Sequence, residues 1–300
     1  MDLTVIICSY NRASSLFNTL VSLEQQALPA GRTWEVVVVN NNSSDRTEDV
    51  IGEFVRKGNL SLRYVFEKQQ GLPYARNAGI KQAAGEILAF TDDDCITNSD
   101  WILSICNEFK SNPSVSGIGG RVELYDSRDK PVTIRPFKER IAFESTAQLF
   151  YLVPGCNMAF RREVFEAIGG FDPDFGSGKG LVVDDTDFIY RAFKHGFKIV
   201  YSPDVLVYHN HGRRTDDQIR PLKKGYLRGR GGFYCKHVLA GDGDVLKMAY
   251  WEIKPLLTDF LKKLCLMQSP SEEACVIANL ATGAAYEFIN KCHLARRRFF

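Results

Sequence analysis

The sequence lacks several features that would assign a protein to a class at once. Its eight cysteines include no C-x-x-C pair, which excludes a zinc or redox motif of that kind. It contains no run of about 18 apolar residues, so no membrane-spanning helix is predicted. The net charge is only +2, and we therefore expect no nucleic acid among its partners.

The start of the chain also lacks a basic segment followed by an apolar segment and a cleavage site. The first strand is predicted from Leu3 onward, so the sequence predicts no signal peptide. The scattered cysteines are then interpreted as reduced thiols, and a cytoplasmic location is expected.

Apolar residues make up 45% of the chain and charged residues 25%, which is typical of a folded globular protein. In the first hundred residues, short β-branched runs alternate with segments whose apolar residues recur at helical spacing. The runs cover residues 3–7, 35–39, 62–66 and 86–90, and the helical segments cover residues 14–26, 47–57 and 74–84. This alternation predicts β-α-β units and a parallel sheet with helices on both faces.

Polar clusters follow all four predicted strands at their carboxyl ends. In an open α/β sheet these ends meet at one edge, which is where such proteins bind ligands. The clusters are Ser9, Tyr10, Asn11 and Arg12; residues 40–45; Glu67 and Lys68; and Asp92, Asp93 and Asp94. Four such clusters at one edge predict a site for a ligand rich in phosphate and hydroxyl groups.

The three consecutive aspartates repel one another unless a cation is near. Mg²⁺ and Mn²⁺ are typically held by one or two carboxylates together with substrate phosphates, so the triplet indicates a divalent cation site. The alternative is a helix-capping loop before the helix predicted from Trp101, because aspartate is favoured at such positions.

A second acidic cluster, Asp184, Asp185 and Asp187, opens a helix predicted over residues 188–195. An exposed loop with three glycines precedes it at residues 172–180, and a flexible loop beside a site is typical of a lid. Two alternatives stay open: the carboxylates cap the helix, and the loop is a plain connection.

The part of the sequence from about residue 113 to residue 230 is less regular. Strands are predicted at residues 117–125, 198–201 and 205–208, a polar loop at residues 126–136, and a strand or turn at residues 153–160 before a short helix from Arg161. His209 and His211 follow the last strand and are either metal ligands or ordinary polar residues. Seven basic residues with Tyr226 then form a stretch over residues 213–230 that suits diphosphate, an anionic lipid head group or water.

Seven segments in order resemble the inverting nucleotide-sugar glycosyltransferases of family 2, which have a GT-A fold. They run from about Leu3 to Lys236 and are TVIICSYNR, VVVVNNNSSD, GLPYARNAGI, GEILAFTDDDC, GCNMAFRREVFEAIGGFD, DDTDFIYRAFKHG and VYHNHGRR. The resemblance implies an α/β fold with a mixed, mostly parallel sheet flanked by helices and a C-terminal helical extension. It implies a catalytic domain over residues 1–236, with a nucleotide-binding half at about 1–120 and an acceptor half at about 121–236, and the extension over residues 237–300.

The resemblance also implies roles in catalysis and metal binding. Asp92 and Asp94 match the D-x-D pair of the family, with Asp94 as the direct ligand of Mn²⁺ or Mg²⁺ and Asp92 facing the ribose and the water around the metal. His209 or His211 matches a histidine that completes the metal shell in some GT-A enzymes. Asp185 matches the catalytic base.

Donor-binding roles follow from the same resemblance. Tyr10 and Asn11, with the turn at Asn40 and Asn41, match the positions around the nucleobase and ribose, and Arg76 matches a basic residue near the nucleotide. Further donor-binding positions implied in this way are Ser9, Arg12, Asp93, Asn157 and Asp184. The family commonly has an aspartate where this chain has Asn40 and Asn41, so UDP is the first choice while GDP and dTDP stay open.

These roles predict a metal-dependent, inverting transfer of a sugar from a nucleoside diphosphate to a hydroxyl of a glycan or lipid-linked acceptor. Two alternatives are kept. A sugar nucleotidyltransferase should have a glycine-rich loop after the first strand, where this chain has Ser9 to Ala13 without a glycine. A membrane-peripheral protein that binds the nucleotide sugar without turnover would not need Asp92, Asp94 and Asp185.

The C-terminal region is predicted to contain two amphipathic helices, at residues 253–267 and 274–289, and a basic, aromatic tail at residues 291–300. Such a composition suits peripheral contact with the inner face of a membrane. The alternative is that the helices pack on the catalytic domain or on another subunit of a homo-oligomer. The sequence leaves both open.

Overall fold

A nine-stranded sheet forms the centre of the computed structural model, which describes residues 1–27, 31–176, 180–266 and 268–297. The strands are β1 (Leu3–Ser9), β2 (Trp34–Asn40), β3 (Leu62–Phe66), β4 (Ile87–Asp92), β5 (Cys95–Thr97), β6 (Val115–Leu124), β7 (Ile141–Ala142), β8 (Asn157–Arg161) and β9 (Lys198–His209). Their order across the sheet is β3-β2-β1-β4-β8-β6-β9-β5, with β7 paired beside β9.

The described helices lie between and after these strands. They are α1 (Ala13–Glu24), α2 (Thr47–Lys57), α3 (Leu72–Gln82), α4 (Trp101–Ser111), α5 (Arg162–Ile168), α6 (Asp184–Lys194), α7 (Asp216–Leu239), α8 (Gly243–Cys265) and α9 (Ser271–Arg297), with a short 3₁₀ turn at Thr146–Gln148. The three helices predicted in the first hundred residues are present within two residues at their ends, as the local helical spacing indicated.

The first half of the sheet has the predicted β-α-β order. β1 pairs in parallel with β2 and β4, and β2 pairs in parallel with β3. The register places Ser9 opposite Asn40 and Cys8 opposite Asp92, so the polar ends of the strands meet at one edge. β1 and β2 are buried almost throughout because helices cover both faces, which explains their continuous apolar runs.

The second half makes the sheet mixed. β8 runs antiparallel to both of its neighbours, β4 and β6, whereas β6 and β9 are parallel. The fold is therefore the predicted mixed α/β sheet flanked by helices. β9 is one continuous strand where the sequence indicated two runs, and the short strand β5 was not predicted at all.

The chain divides into two compact units. The sheet unit comprises Met1–Asp172 and Asp185–Thr215, and the helical unit comprises Pro173–Asp184 and Asp216–Phe300. The domain boundary predicted between residues 236 and 237 falls inside α7, and the compact units divide before this helix. The difference has a physical reason, because α7 packs closely on α9 within the helical unit.

Two glycines let α7 and α9 approach each other closely. A Cβ added to Gly231 would lie 1.9 Å from the carbonyl oxygen of Leu280, and one added to Gly283 would lie 1.8 Å from that of Arg228. Since real Cβ atoms do not approach a carbonyl oxygen so closely, any other residue at these positions would separate the two helices.

The loop expected to be exposed at residues 172–180 is different in the structure. Phe175 is only 1% exposed and lies under the ammonium group of Lys236, whose Nζ is 5.0 Å from the ring centre. The expectation of an exposed loop was therefore wrong for Phe175, which contributes to the core of the helical unit. Residues 177–179, the centre of the predicted lid, lie outside the described residues.

Three further expectations concern cysteines, membranes and the tail. All eight cysteines fall within the described chain, and each is a free thiol. Across residues 1–27, 31–176, 180–266 and 268–297, no helix has the length and apolar character needed to cross a membrane. The end of the predicted basic and aromatic tail, residues 298–300, lies outside the described residues.

Candidate functional site

Ser9, the last residue of β1, and Arg12, in the loop after it, hold the two aspartates that follow β4, Asp93 and Asp94. The hydroxyl of Ser9 donates a hydrogen bond of 2.7 Å to Asp93, and Nη1 of Arg12 lies 3.3 Å from the same carboxylate. Arg12 also forms a close ion pair with Asp94. The charge of the triplet, which no sequence neighbour offsets, is thus partly neutralised by an arginine that follows the neighbouring strand β1.

The three carboxylates differ in their protonation. Burial raises the pKa of Asp93 to about 7, against the attraction of Arg12, and burial also raises the pKa of Asp92. Burial acts on Asp94 as well, but the contacts with His209 and Arg12 outweigh it and hold the pKa of Asp94 below its ordinary value. Asp94 is therefore the member of the triplet that stays ionised most readily.

His209 lies beside Asp94 at the end of β9. Its Nε2 is 3.2 Å from Oδ1 of Asp94, and this buried oxygen has no hydrogen bond within the described part of the chain. Burial lowers the pKa of His209, but the carboxylate outweighs this effect and raises the pKa to about 9. A basic imidazole and a buried carboxylate oxygen without a hydrogen bond thus face the same small space.

These donors fit a divalent cation. One ligand atom each of Asp94, Cys95 and His209 lie within 4.8 Å of one another. Carboxylate oxygen suits both Mn²⁺ and Mg²⁺, and Mg²⁺ is usually held by a carboxylate together with phosphate oxygens, while the imidazole adds a nitrogen donor. Cys95 is a poor ligand, because its hydrogen bond with Cys156 and its burial raise the pKa of its thiol well above the ordinary value. Asp94 and His209 are the residues that would hold the metal.

His211 is placed differently from His209. Its Nδ1 accepts a 3.0 Å hydrogen bond from the backbone N–H of Arg213, so the lone pair of the neutral ring is already used. The two imidazole rings meet edge to face with 5.0 Å between their centres. Of the two histidines that the sequence offered as metal ligands, the structure brings His209 to Asp94.

Gly155 connects the predicted base to the predicted donor-binding arginine. Nη2 of Arg76 donates a 3.0 Å hydrogen bond to the carbonyl oxygen of Gly155 and lies 3.8 Å from Oδ1 of Asp92. A Cβ added to Gly155 would lie 2.3 Å from Oδ2 of Asp185, while Oδ1 of Asp185 accepts a 2.7 Å hydrogen bond from the N–H of Thr186. Gly155 therefore contacts both Asp185 and Arg76, and Arg76 in turn lies beside Asp92.

The loop after β1 is fastened to the loop after β2. Asn11 has a left-handed backbone (φ 53°), and its amide oxygen accepts a 2.7 Å hydrogen bond from the N–H of Ser44. Its own N–H donates to the hydroxyl of Ser43 at 3.0 Å. Tyr10, the neighbour of Asn11, is 49% exposed and presents an aromatic ring at this edge of the sheet.

Asn40 and Asn41 are buried and use their amides to hold loops. Nδ2 of Asn41 donates to the carbonyl oxygens of Glu67 (3.2 Å) and Gln69 (2.6 Å), and its Oδ1 accepts from the N–H of Gly71 (2.9 Å). Oδ1 of Asn40 accepts from the N–H of Ser43 at 2.9 Å. These two residues shape the loops around the predicted base pocket.

Asn157, predicted as a donor-binding residue, makes its hydrogen bonds within the core. It is fully buried, and its amide accepts from Nε1 of Trp101 and donates to the carbonyl oxygens of Arg121 and Val205 at 2.8–2.9 Å. Its role in donor binding stays a prediction. Asp184 is also buried and begins α6.

Three residues of this region were not found from the sequence. Cys95 lies beside Asp94 and His209, Gly155 contacts both Arg76 and Asp185, and Thr133 contacts Nδ1 of His209 at 2.9 Å. Gly155 begins the segment GCNMAFRREVFEAIGGFD, one of those that resemble the family, and this resemblance was the signal that could have marked it. No sequence signal marked Thr133, because its contact spans 76 residues.

The fold and these contacts together define a GT-A glycosyltransferase, and structural neighbours of the chain are enzymes of that class. The sequence model of glycosyl transferase family 2 matches residues 4–169, and this chain belongs to that family.

Two curated relatives come from the same organism, Haloferax volcanii. Glycosyltransferase AglE of Haloferax volcanii is 31% identical over 240 residues, which cover 76% of this chain and 72% of AglE. The glucosyl-dolichyl phosphate glucuronosyltransferase of Haloferax volcanii is 24% identical over 232 residues, which cover 70% of this chain and 69% of that protein.

Solved structures share the fold at lower identity. The mannosyltransferase PcManGT from Pyrobaculum calidifontis, in complex with GDP-Man and Mn²⁺, has a TM-score of 0.64 at 22% identity, covering 94% of this chain and 79% of that one. S. aureus TarS 1-349, in complex with UDP-GlcNAc, has a TM-score of 0.60 at 18% identity, covering 98% of this chain and 92% of that one. In a longer structure of TarS, the match spans 39% of the TarS chain.

Proposed function

We propose that this protein is a metal-dependent, inverting glycosyltransferase that moves a sugar from a nucleoside diphosphate, UDP first, to a hydroxyl of a lipid-linked or glycan acceptor. The observation that supports this most directly is the link through Gly155. It sets a carboxylate, Asp185, against one side of the glycine and a buried arginine, Arg76, on its carbonyl oxygen. This contact supports the proposal, because it would hold the proposed base and the proposed leaving-group cation at a fixed spacing.

Asp185 is the proposed general base. Its Oδ1 is engaged by the N–H of Thr186, which leaves Oδ2, the oxygen against Gly155, to accept the proton of the acceptor hydroxyl. As that hydroxyl attacks the anomeric carbon, the bond to the diphosphate breaks on the opposite face, so a single displacement inverts the configuration. Asp185 orients the acceptor and takes its proton.

Arg76, Asp92, Asp94 and His209 form the proposed leaving-group side. Arg76 is 4% exposed, so its charge is little screened by solvent where the diphosphate would develop negative charge. Mn²⁺ or Mg²⁺ held by Asp94 and His209 would supply Lewis acidity to the same diphosphate. The neighbour PcManGT is in complex with GDP-Man and Mn²⁺, which is consistent with this proposal.

The nucleobase is proposed to lie against Tyr10, whose exposed ring offers a stacking face. Asn11, Asn40 and Asn41 keep the surrounding loops in place through the hydrogen bonds described above. TarS is in complex with UDP-GlcNAc and PcManGT with GDP-Man, so both nucleotides belong in the first test.

The experiment that tests the function combines binding and turnover. The wild-type chain is titrated calorimetrically with UDP, GDP and dTDP, each with and without Mn²⁺, and nucleotide release is measured from a panel of the matching sugar nucleotides. We expect Mn²⁺-dependent binding of one nucleotide. Asp185→Asn should keep that binding and lose turnover, whereas Asp204→Asn, at an exposed site on β9, should change neither.

Each contrary result points to a different failure. Wild-type turnover by Asp185→Asn would contradict the base assignment. Tight nucleotide binding without turnover of any donor would favour a nucleotide-sugar-binding protein. Consumption of a nucleoside triphosphate would favour a nucleotidyltransferase.

Of the two acceptor classes, lipid-linked and glycan, we propose the lipid-linked one. The support for this choice is the exposed surface of α8. Five apolar residues lie on one face of α8 at helical spacing and are 44–59% exposed, namely Leu246, Tyr250, Leu257, Leu261 and Leu264. Trp251 beside them is 67% exposed, and Lys247, Lys254 and Lys262 are exposed along one flank. An apolar stripe bordered by aromatic rings and lysines complements an anionic bilayer surface.

Vesicles test this surface directly. The full chain should float with vesicles that contain phosphatidylserine and not with neutral ones, and Leu257→Glu with Leu261→Glu should abolish flotation while Mn²⁺-dependent nucleotide binding is kept. Val55→Glu, at an exposed apolar residue of α2, is the matched control and should float normally. Flotation by the double variant would contradict the proposal. If the wild-type chain sediments as a dimer and the double variant as a monomer, the stripe is instead a contact with a second copy of the chain.

A further inference from the structure

The polar loop at residues 126–136 is bonded to the segment that directly follows His209. The backbone N–H of Gly212 donates a 2.8 Å hydrogen bond to Asp129, and the N–H of Lys130 donates a 2.8 Å hydrogen bond to the carbonyl oxygen of Arg213. The guanidinium of Arg214 also lies 3.2 Å from Asp129. The polar loop is thus fastened to the chain directly after β9.

Thr133, in the same loop, has an unusual backbone conformation. Its backbone is left-handed (φ 61°), a region that β-branched residues rarely occupy. Residues held in such conformations persist where the surroundings fix them, and they cluster at functional sites. The surroundings here include the ring of His209, whose Nδ1 lies 2.9 Å from Oγ1 of Thr133.

The hydroxyl of Thr133 has a defined direction. Its Oγ1 lies 2.5 Å from the carbonyl oxygen of Val132, and because a carbonyl can only accept, the hydroxyl proton points there. Oγ1 therefore turns a lone pair toward His209 and accepts the N–H of its Nδ1. In the neutral ring, this arrangement leaves the lone pair of His209 on Nε2.

That lone pair faces the buried oxygen of Asp94. Nε2 of His209 lies 3.2 Å from Oδ1 of Asp94, which has no hydrogen bond within the described residues. Two electron-pair donors at this distance can share one cation, but only if the ring presents Nε2 as the atom without a proton. A hydrogen bond on the other ring nitrogen is the usual means of fixing which nitrogen binds a metal.

We propose that Thr133 is a positioning residue for the divalent cation, and that its hydroxyl fixes the ring of His209 with Nε2 toward Asp94. This inference rests on the metal site of the proposed function. Thr133 acts through His209 and does not contact the substrate. The left-handed backbone at Thr133 places the hydroxyl where the ring needs it.

The test compares three substitutions at one position by Mn²⁺ titration of the full chain, with free Mn²⁺ followed by electron paramagnetic resonance. Thr133→Val removes the hydroxyl and keeps the shape, and we expect Mn²⁺ affinity to fall by about 10- to 100-fold. Thr133→Ser keeps the hydroxyl and should bind nearly as the wild type does. Thr133→Gly relieves the backbone and lacks the hydroxyl, and it should be as weak as Thr133→Val.

A spectroscopic readout separates positioning from general damage. In ¹⁵N-histidine protein with Mg²⁺, the ring of His209 should carry its proton on Nδ1 in the wild type and in Thr133→Ser, and this preference should be lost in Thr133→Val. Thr258→Val removes an exposed hydroxyl on α8 and should change neither measurement. If Thr133→Val does not fold, Thr133→Gly takes its place as the variant without the hydroxyl, and its Mn²⁺ affinity and its His209 proton position are compared with those of Thr133→Ser.

His209→Ala tests the metal site separately from the role of Thr133. If His209→Ala binds Mn²⁺ as the wild type does, the metal site of the proposed function is wrong and this inference fails with it. If His209→Ala weakens Mn²⁺ binding but Thr133→Val and Thr133→Gly do not, the metal site stands and only the role of Thr133 is overturned.

Discussion

Asp185 lies so close to Gly155 that no side chain fits between them. A Cβ on residue 155 would be 2.3 Å from Oδ2 and 2.9 Å from the carboxyl carbon of Asp185. The position of this carboxylate is therefore fixed by a residue that has no side chain. Because the carbonyl oxygen of the same glycine holds Arg76, a shift at residue 155 would disturb both sides of the proposed reaction.

Gly155→Ala should lower turnover much more than it lowers nucleotide binding. The added methyl group must push Asp185 away, and a displacement of about 1 Å at a reacting group costs about 10²-fold in rate. Gly243→Ala is the control, because a Cβ at that position meets nothing within 4 Å. Steady-state nucleotide release and calorimetry of both variants check this prediction, and unchanged turnover in Gly155→Ala would show that the carboxylate is not placed by this contact.

Asp94→Asn should weaken Mn²⁺ binding by more than the roughly 10- to 100-fold that loss of a supporting hydrogen bond costs. The amide keeps the shape of the side chain but removes the charge that the cation would share with His209. Mn²⁺ titration in the presence of the bound nucleotide measures the effect. Asp49→Asn, at an exposed carboxylate that pairs only with Arg46 among the described residues, should bind Mn²⁺ normally. Equal affinities in the two variants would remove Asp94 from the metal site.

Asn41→Asp should destabilise the protein. A carboxylate cannot donate to the carbonyl oxygens of Glu67 and Gln69, and leaving buried groups without a partner costs about 1–3 kcal/mol. Thermal unfolding should show a melting temperature several degrees lower than that of the wild type, while the exposed Asn42→Asp should unfold almost unchanged. A stable Asn41→Asp variant with altered base preference would instead place this side chain against the nucleobase.

Gly283→Ala should destabilise the helical unit far more than Gly225→Ala. The first Cβ would lie 1.8 Å from a backbone oxygen, whereas the second would lie 3.1 Å from a methyl group of Val182 that can move. Overpacking costs about 1–3 kcal/mol or more, while alanine gains about 1 kcal/mol over glycine inside a helix. Urea unfolding of both variants measures the difference. Equal stability would mean that the two helices separate without cost.

The first half of the fold could be predicted because its signals are local. β-branched runs such as β2 and helical patterns such as α2 are contained in short windows, and the parallel order follows from their alternation. β5 could not be predicted, because a strand of three residues is too short to show an alternation of apolar and polar side chains. It takes its structure from pairing with β9, which sets Cys95 opposite His209.

The candidate site was predictable as a group of residues but not as a set of contacts. Motif resemblance gave Asp94 and a choice of two histidines, and only the register of β5 on β9 brings His209 to the carboxylate. The ion pair of Arg12 with Asp94 joins residues 82 positions apart, which no local pattern reveals. The sequence also did not indicate that the amide of Asn157 makes hydrogen bonds inside the core, because its partners, Trp101 and Val205, lie 56 and 48 positions away.

The discontinuity of the helical unit limits how this chain can be shortened. Pro173–Asp184 interrupts the sheet unit in sequence, yet it belongs to the helical unit, where Gly232 of α7 lies against both Phe175 and Leu181. Expressing the chain only as far as Thr215 would keep the aspartate triplet and leave those two apolar side chains without their helix. The C-terminal helices therefore cannot be deleted alone. Any shortened or fused variant must keep them, or residues 173–184 must be redesigned at the same time.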